Sequence, residues 1–553
     1  MRHSLALVGL VLGSLSSPPL VAQVPCAPVD PYDSGGPLDP DEAVYDVHFY
    51  DLAVTVNPAD STIAGRVDIH ARVVAPAWRV AFDLDTLLRI DSLSLAEEPR
   101  PLPFVRCGGR VRVALPVTLQ PGAIMTLRVA YSGHPRVAPR PPWDGGFQWA
   151  RTRSGAPWVA TSNQMLGADV WWPVKDHISD KPDSMAISVT APGSLVVASN
   201  GRLQSVDDAP DGWKTWHWFV STPISTYNVA LNIAPYRTID TTVASVAGDS
   251  FPVVFYVLPE DYAKGVAFFP EILAQLAWFE RRIGPYPFRA DKYGVAQTPH
   301  LGMEHQSIIA YGANFDNRAM TGVDWGFDAL HQHELSHEWW GNLVTNADWK
   351  DMWLHEGFGT YMQALFLEDT QGVDRARAFL RGIGRSVANR APIAPREATS
   401  TQRIYGNDIY FKGARVLHTL RWLIGDDAFS RAIRRLAYAD DAAAQSTDGS
   451  AVHFATTADF ITIAEQESGR DLGWFFEVYV FRAALPALVS AQMGEQLTLY
   501  WEAPNDLPFP MPVEVVIDGA ARRLDMTDGR GSVRVPSGAA VEVDPNAWVL
   551  RGR

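Results

Sequence analysis

The sequence predicts an α+β multidomain chain: an N-terminal antiparallel β domain, a mainly helical middle domain and a small C-terminal β-sandwich. Three observations predict it. Apolar and polar residues alternate in short runs as far as about Tyr236, recur at intervals of three and four through the middle, and alternate again after Leu485-Pro486. At roughly 150 residues per domain, the 553 residues suit about three or four such units.

Taken in order, residues 1–22 read as a signal peptide. Met1-Arg2-His3 is short and basic, Leu5 to Leu15 is apolar, and Ala22 is a small residue at the expected cut. The run is too short to span a bilayer. The mature chain is expected to be exported, periplasmic or secreted, with no membrane span. Residues 23–42, rich in Pro, Asp and Gly, form a lead-in. Residues 43–238 form the β domain. Its cleanest strand is Arg66 to Val73, where Val67, Ile69, Ala71 and Val73 alternate with Arg66, Asp68, His70 and Arg72. Further strands are expected at Leu127–Tyr131, Ala186–Val189 and Tyr227–Ile233.

Residues 239–484 form the helical domain. Phe268, Phe269, Ile272, Leu273, Leu276 and Phe279 lie on one helical face, and Gly284-Pro285-Tyr286-Pro287 ends that helix. More helices are expected at 322–344, 354–370, 373–388, 409–424 and 457–468. Residues 485–553 return to strands at Leu497–Trp501, Val513–Ile517 and Gly531–Val535.

Composition narrows the function. Lys and Arg number 47 against 62 Asp and Glu, a net charge of −15. Nucleic-acid binding wants clustered cations, so no nucleic-acid partner is expected. With 20% charged and 47% hydrophobic residues, the chain is not a disordered one. The two cysteines, Cys26 and Cys107, exclude a disulfide-dense scaffold and a thiolate metal cluster, and their pairing stays open. A metal here needs nitrogen and oxygen donors.

His333-Glu334-Leu335-Ser336-His337 offers two of them. Residues four apart on a helix share a face, so both imidazoles reach one ion while Glu334 faces its open side. Glu356, in the second helical segment around Trp353-Leu354-His355-Glu356-Gly357-Phe358, is the candidate third ligand, leaving a fourth position for water. One Zn²⁺ per chain fits this set. Zinc acidifies water and polarises a carbonyl, and Glu334 is placed as general base and then general acid. An oxyanion donor cannot be chosen by chemistry alone from 17 tyrosines and 14 histidines.

At these residues the chain resembles the gluzincin zinc aminopeptidase family, that of aminopeptidase N. The stretch from His333 to Thr345 resembles that family's zinc helix, and Trp353 to Tyr361 its second helix. Tyr45 to Leu52, Pro223 to Tyr227 and Gly284 to Phe288 are similar to its other signatures. The resemblance implies a thermolysin-like catalytic domain and peptide substrates with a free N-terminus. It implies that Tyr410 stabilises the oxyanion and that Tyr405 is a further active-site tyrosine. Gly302-Met303-Glu304 resembles the exopeptidase loop, whose Glu, here Glu304, binds the α-amino group. Gln164 matches a second residue on that amine.

There are departures. Leu301 and His305 replace the family's Gly and Asn, and both are expected beside the cleft. The family's long C-terminal helical domain is missing, which should leave the cleft open. Asp351 is a candidate outer partner for a ligand histidine, against the plainer reading of a solvated loop residue. Two alternatives use the same metal set: a thermolysin-like endopeptidase, which needs no amine anchor, and a non-catalytic zinc- or peptide-binding protein, which would be expected to lose the base or a ligand. The sequence assigns no oligomeric state.

Overall fold

The computed structural model describes residues 34–552, so the expected signal peptide, most of the lead-in and Cys26 lie outside the described residues. Cys107 is buried and carries no free thiol.

The N-terminal region is built on a seven-stranded sheet in the order 202–208, 213–220, 184–192, 45–57, 62–73, 124–133, 88–95. Its pairs are antiparallel except where Phe49 to Thr55 runs parallel to Ser184 to Thr190. A three-stranded sheet (77–83, 110–119, 104–107) and a four-stranded one (196–198, 232–234, 157–162, 146–151) share its apolar core. Alternation works as expected at Val67, Ile69, Ala71 and Val73, all buried. Asp68 breaks it: the carboxylate is buried too, because Arg128 donates to both its oxygens at 2.8 and 2.6 Å. The expected strand Tyr227–Ile233 shrinks to Asn232–Ala234. Thr226–Asn228 is a 3₁₀ turn instead, since the amides of Asn228 and Val229 turn back onto the carbonyls of Ser225 and Thr226.

The middle region opens on a five-stranded mixed sheet in the order 237–244, 250–257, 293–297, 309–311, 302–303, which leaves Gly302–Met303 on the edge. Helix α1 (Tyr262–Arg282) buries Phe268, Ile272, Leu276 and Phe279. Helices α2 (Ala329–Ser336), α3 (Trp353–Gln371), α4 (Val373–Gly384), α5 (Thr401–Ile404) and α6 (Asn407–Ile424) follow. The expected helix 322–344 is only α2. Asp328 starts it by accepting from the His331 amide at 2.9 Å. Beyond His337 the Asn342 amide reaches back to the His337 carbonyl, and Gly341 takes φ +148°, so the chain turns instead of continuing. The expected helix 373–388 stops at Gly384, while Thr457–Ser468 is helical as expected.

The C-terminal residues form two three-stranded sheets. One holds 487–493, 496–502 and 530–534; the other places 513–517 between 520–524 and 541–543. Leu499, Trp501, Val513 and Val515 join the same core as the helices. Polar contacts fasten it: Trp422 Nε1 donates to the Pro512 carbonyl at 3.2 Å and Tyr479 to the Leu550 carbonyl at 2.6 Å. Among the described residues there is no long C-terminal helical domain, and no helix is long and apolar enough to cross a membrane.

Ile69 is fully buried between sheets. Ile69→Ala should lower stability by about 2–5 kcal/mol through lost transfer energy and the cavity left behind. Urea unfolding of the purified protein reads this directly; a change below about 1 kcal/mol would contradict the packing described.

Candidate active site

Helix α2 and helix α3 cross so that three donor atoms converge. His333 Nε2 lies 3.2 Å from His337 Nε2 and 3.3 Å from Glu356 Oε2, and His337 Nε2 lies 3.5 Å from that same oxygen. Hydrogen bonds cannot account for all three contacts at once, because an imidazole nitrogen that carries a proton has no lone pair with which to accept another. A tetrahedral ion with ligands at about 2.0–2.1 Å makes ligand–ligand edges of about 3.3–3.4 Å, which matches. The donor set, two imidazoles and a carboxylate, is zinc chemistry, and the residues present fit the ion.

The tautomer also fits. His337 Nδ1 lies 2.9 Å from the Trp340 carbonyl, which the turn after α2 offers it, so the Nε2 lone pair is free for a metal. Asp351 is neither that outer partner nor a solvated residue. It is buried, and its Oδ1 accepts from the Thr457 amide and hydroxyl at 3.1 and 2.6 Å.

Three carboxylates close around the triangle. Glu304, Glu334 and Glu356 are only 3%, 7% and 2% exposed. Glu304 and Glu334 each bring an oxygen close to His337. Burial pushes the Glu334 carboxyl well above its ordinary value and Glu304 up to about 7. Burial also raises Glu356, but the His337 and His333 rings overcome this and hold it below the usual carboxylate range. For His337 burial acts downward, yet the facing carboxylates push the ring up to about 10. The pocket therefore attracts positive charge strongly.

The residues expected at the substrate amine come from both domains. Gln164, in the loop after strand 157–162, donates from Nε2 to Glu304 Oε1, and Tyr227 donates to the same oxygen at 3.2 Å. Tyr227 was part of a matched signature, with no role attached to it. Asn342 Nδ2 donates to the Glu304 carbonyl at 3.0 Å and fixes that loop to the turn after α2. Gly302 lies against Glu334: a Cβ there would sit 2.4 Å from its Oε1. Met303 lines the cleft beside it.

On the opposite wall the Tyr405 hydroxyl lies 2.9 Å from Gln164 Oε1, 3.3 Å from Glu356 Oε1 and 2.6 Å from the Tyr410 hydroxyl. The Tyr410 ring stacks near His333, 5.9 Å between centroids. Two glycines bring Tyr410 this close. Gly357, next to Glu356, and Gly413, three residues after Tyr410, face each other, and a Cβ on Gly413 would stand 2.9 Å from the Gly357 Cα. The cleft so formed has a volume of about 550 Å³. Leu301 lines it as expected. His305 does not: it is fully buried, its ring 6.5 Å from that of His300, and desolvation keeps it neutral.

The fold and this donor set define the class: a zinc metallopeptidase centre with a short HExxH helix and a Glu on the next helix. The Peptidase M1 N-terminal domain model matches residues 47–228, and the Peptidase family M1 domain model matches 274–479. The chain belongs to peptidase family M1. It is similar to endoplasmic reticulum aminopeptidase 1 of Rattus norvegicus, 24% identical over 71% of this chain and 44% of that protein. Aminopeptidase N of Streptomyces lividans is 25% identical over 56% of this chain and 36% of its own. The chain thus spans less than half the length of these curated relatives. Among solved structures, the M1 zinc metallopeptidase from Deinococcus radiodurans superposes with a TM-score of 0.65 at 25% identity, covering 80% of this chain and 96% of that one. A mutant of it bound to a Tyr-Ser-Ala substrate gives 0.64.

The glycine contact yields a test. Gly413→Ala forces α6 away from α3 and should lower kcat at least about tenfold, as small misplacements in active sites do. Bound zinc should stay at one per chain, because no ligand lies on α6. Loss of the metal instead would show that the contact holds the ligands and not Tyr410.

Proposed function

We propose that the chain is an exported zinc aminopeptidase that removes the N-terminal residue from peptides. The observation that carries this reading is Glu304: a buried carboxylate beside the metal triangle, held by Gln164 and Tyr227 and lacking any Lys or Arg of its own in the cleft. A peptide's free ammonium supplies the missing charge, while a blocked or internal peptide does not.

When bound at His333, His337 and Glu356, zinc supplies Lewis acidity toward the scissile carbonyl and an attacking water. The chain's own groups do the rest. Glu304, with Gln164, fixes the ammonium and hence which bond lies over the metal position. Glu334 takes the proton of the attacking water and passes it to the leaving amine; its raised carboxyl suits a group that must hold and then release a proton. Tyr410 donates a hydrogen bond from its hydroxyl to the oxyanion while keeping its proton, and Tyr405 orients that hydroxyl from 2.6 Å. Export is supported by the N-terminal sequence, and a mature N-terminus near residue 23 on protein recovered outside the cytoplasm tests it.

A panel of aminoacyl reporter substrates tests the central reading. Glu334→Gln should lower kcat by about 10²- to 10⁴-fold with zinc retained, the usual loss for a missing general base. Glu304→Ala should lower kcat/KM for free-amine substrates by about 10- to 100-fold, the worth of hydrogen bonds to a charged group. N-acetylated peptides should be inert to the wild type. Equal cleavage of blocked and free peptides would establish an endopeptidase. Chelation should abolish turnover and added Zn²⁺ restore it; zinc-loaded protein inert toward the whole panel would establish a binding role.

A further inference from the structure

We propose that Ser34, Gly35 and Gly36 of the lead-in are a positioning strap for Glu304, with Gly35 acting through Trp349 and Tyr227. This rests on the aminopeptidase reading, which gives Glu304 the substrate's ammonium.

The strap is held on both flanks. Gly35 bridges Ser400 antiparallel, the Gly36 amide donates to the Thr399 carbonyl at 3.1 Å, and the Thr401 amide donates to the Ser34 carbonyl at 3.0 Å. The other flank is tied to the β domain. There the Ser34 hydroxyl donates to Asp176 Oδ2 at 3.0 Å, and His177 Nε2 lies 3.0 Å from the Gly36 carbonyl. Further along the lead-in, Asp39, Asp41 and Glu42 pair with Arg112, Arg79 and Arg110 at 2.6, 2.8 and 3.0 Å. Three residues that belong to no long strand are thereby fixed between the two domains.

From that place two lines run to Glu304. In the first, Gly35 packs directly on Trp349, and a Cβ there would stand 2.1 Å from the Trp349 Cδ1. Trp349 is only 2% exposed, its ring meets that of Tyr227 at 5.6 Å, and the Tyr227 hydroxyl donates to Glu304 Oε1 at 3.2 Å. In the second, the Ser34 amide donates to Thr401 Oγ1 at 3.3 Å. That hydroxyl donates in turn to the carbonyl of Met165, the residue after Gln164, at 2.6 Å. Gln164 and Tyr227 both donate to the same Glu304 oxygen, and the strap stands behind both. Close-packed interiors transmit displacement, so a shift of Trp349 reaches the Tyr227 hydroxyl, and a hydrogen bond weakens steeply as its geometry is lost.

Gly36 supplies an internal control. Gly35 and Gly36 have φ +93° and +81°, so alanine strains the backbone at either position. A Cβ on Gly36, however, meets nothing within 4 Å. The difference between the two alanine variants therefore reads the contact with Trp349.

The test is calorimetric binding of two probes to zinc-loaded protein: leucine hydroxamate, and 4-methylpentanohydroxamate, the same molecule without its amine. In the wild type the amine should strengthen binding about tenfold or more, the worth of hydrogen bonds to a charged group. Gly35→Ala should remove about tenfold from leucine hydroxamate and leave the amine-free probe within about twofold. Gly36→Ala should leave both probes within about twofold of the wild type. Trp349→Phe, which keeps an aromatic ring and shrinks the one that Gly35 touches, should repeat the selective loss and serves if Gly35→Ala does not fold. Equal effects of the two glycine variants, weakening of both probes alike, or no loss in Gly35→Ala and Trp349→Phe would make the strap a structural fastening only and overturn the proposal. A wild type that binds the two probes alike overturns the aminopeptidase reading itself, and the strap's role with it.

Discussion

Everything at the site follows from three carboxylates buried within one small volume. Glu304, Glu334 and Glu356 are each less than a tenth exposed, and the wall around them carries no Lys or Arg. Such charges are too costly to keep unless compensated. Without a cation the pocket compensates by holding protons, which is why Glu304, Glu334 and His337 are all pushed upward; a divalent cation at the triangle offsets the charge directly. The same cluster that offers a metal its ligands therefore also offers a place for a second positive charge, at Glu304.

Holding like charges together needs backbone that cannot relax away. Short elements supply it. Helix α2 runs only from Ala329 to Ser336, and the turn after it delivers both the Trp340 carbonyl to His337 and the Asn342 amide to the Glu304 loop. Helix α3 is pinned against α6 by glycines that leave no room for even one methyl. Rigid placement is what such a site requires, since its chemistry depends on positions fixed to a fraction of an ångström.

The α+β layering was legible because period two and period three-to-four dominate long stretches, as at Val67 to Val73 and Phe268 to Phe279. The metal ligands were legible because HExxH and Glu356 sit on helices that spacing alone can place. What spacing could not show lies in tertiary geometry. Tyr227 reads as an apolar aromatic in a short strand and turns out to be a donor to Glu304. His305 reads as a cleft residue by its place beside Glu304, yet it is fully buried against His300, where the chain leaves the short edge strand Gly302–Met303. The helix expected over 322–344 ends early because a turn, invisible to apolar periodicity, is needed to bring Trp340 and Asn342 back to the site.

The bond from Gln164 to Glu304 crosses from the β domain to the helical one. Neither domain holds a whole recognition site, so the two are a single heritable unit despite their separate cores. A recombination event that exchanged the β domain alone would take Gln164 and Tyr227 away from Glu304, although the metal ligands would all remain. Shuffling should therefore preserve this pair together, while the C-terminal sheets contribute packing to the helices and no residue lining the cleft.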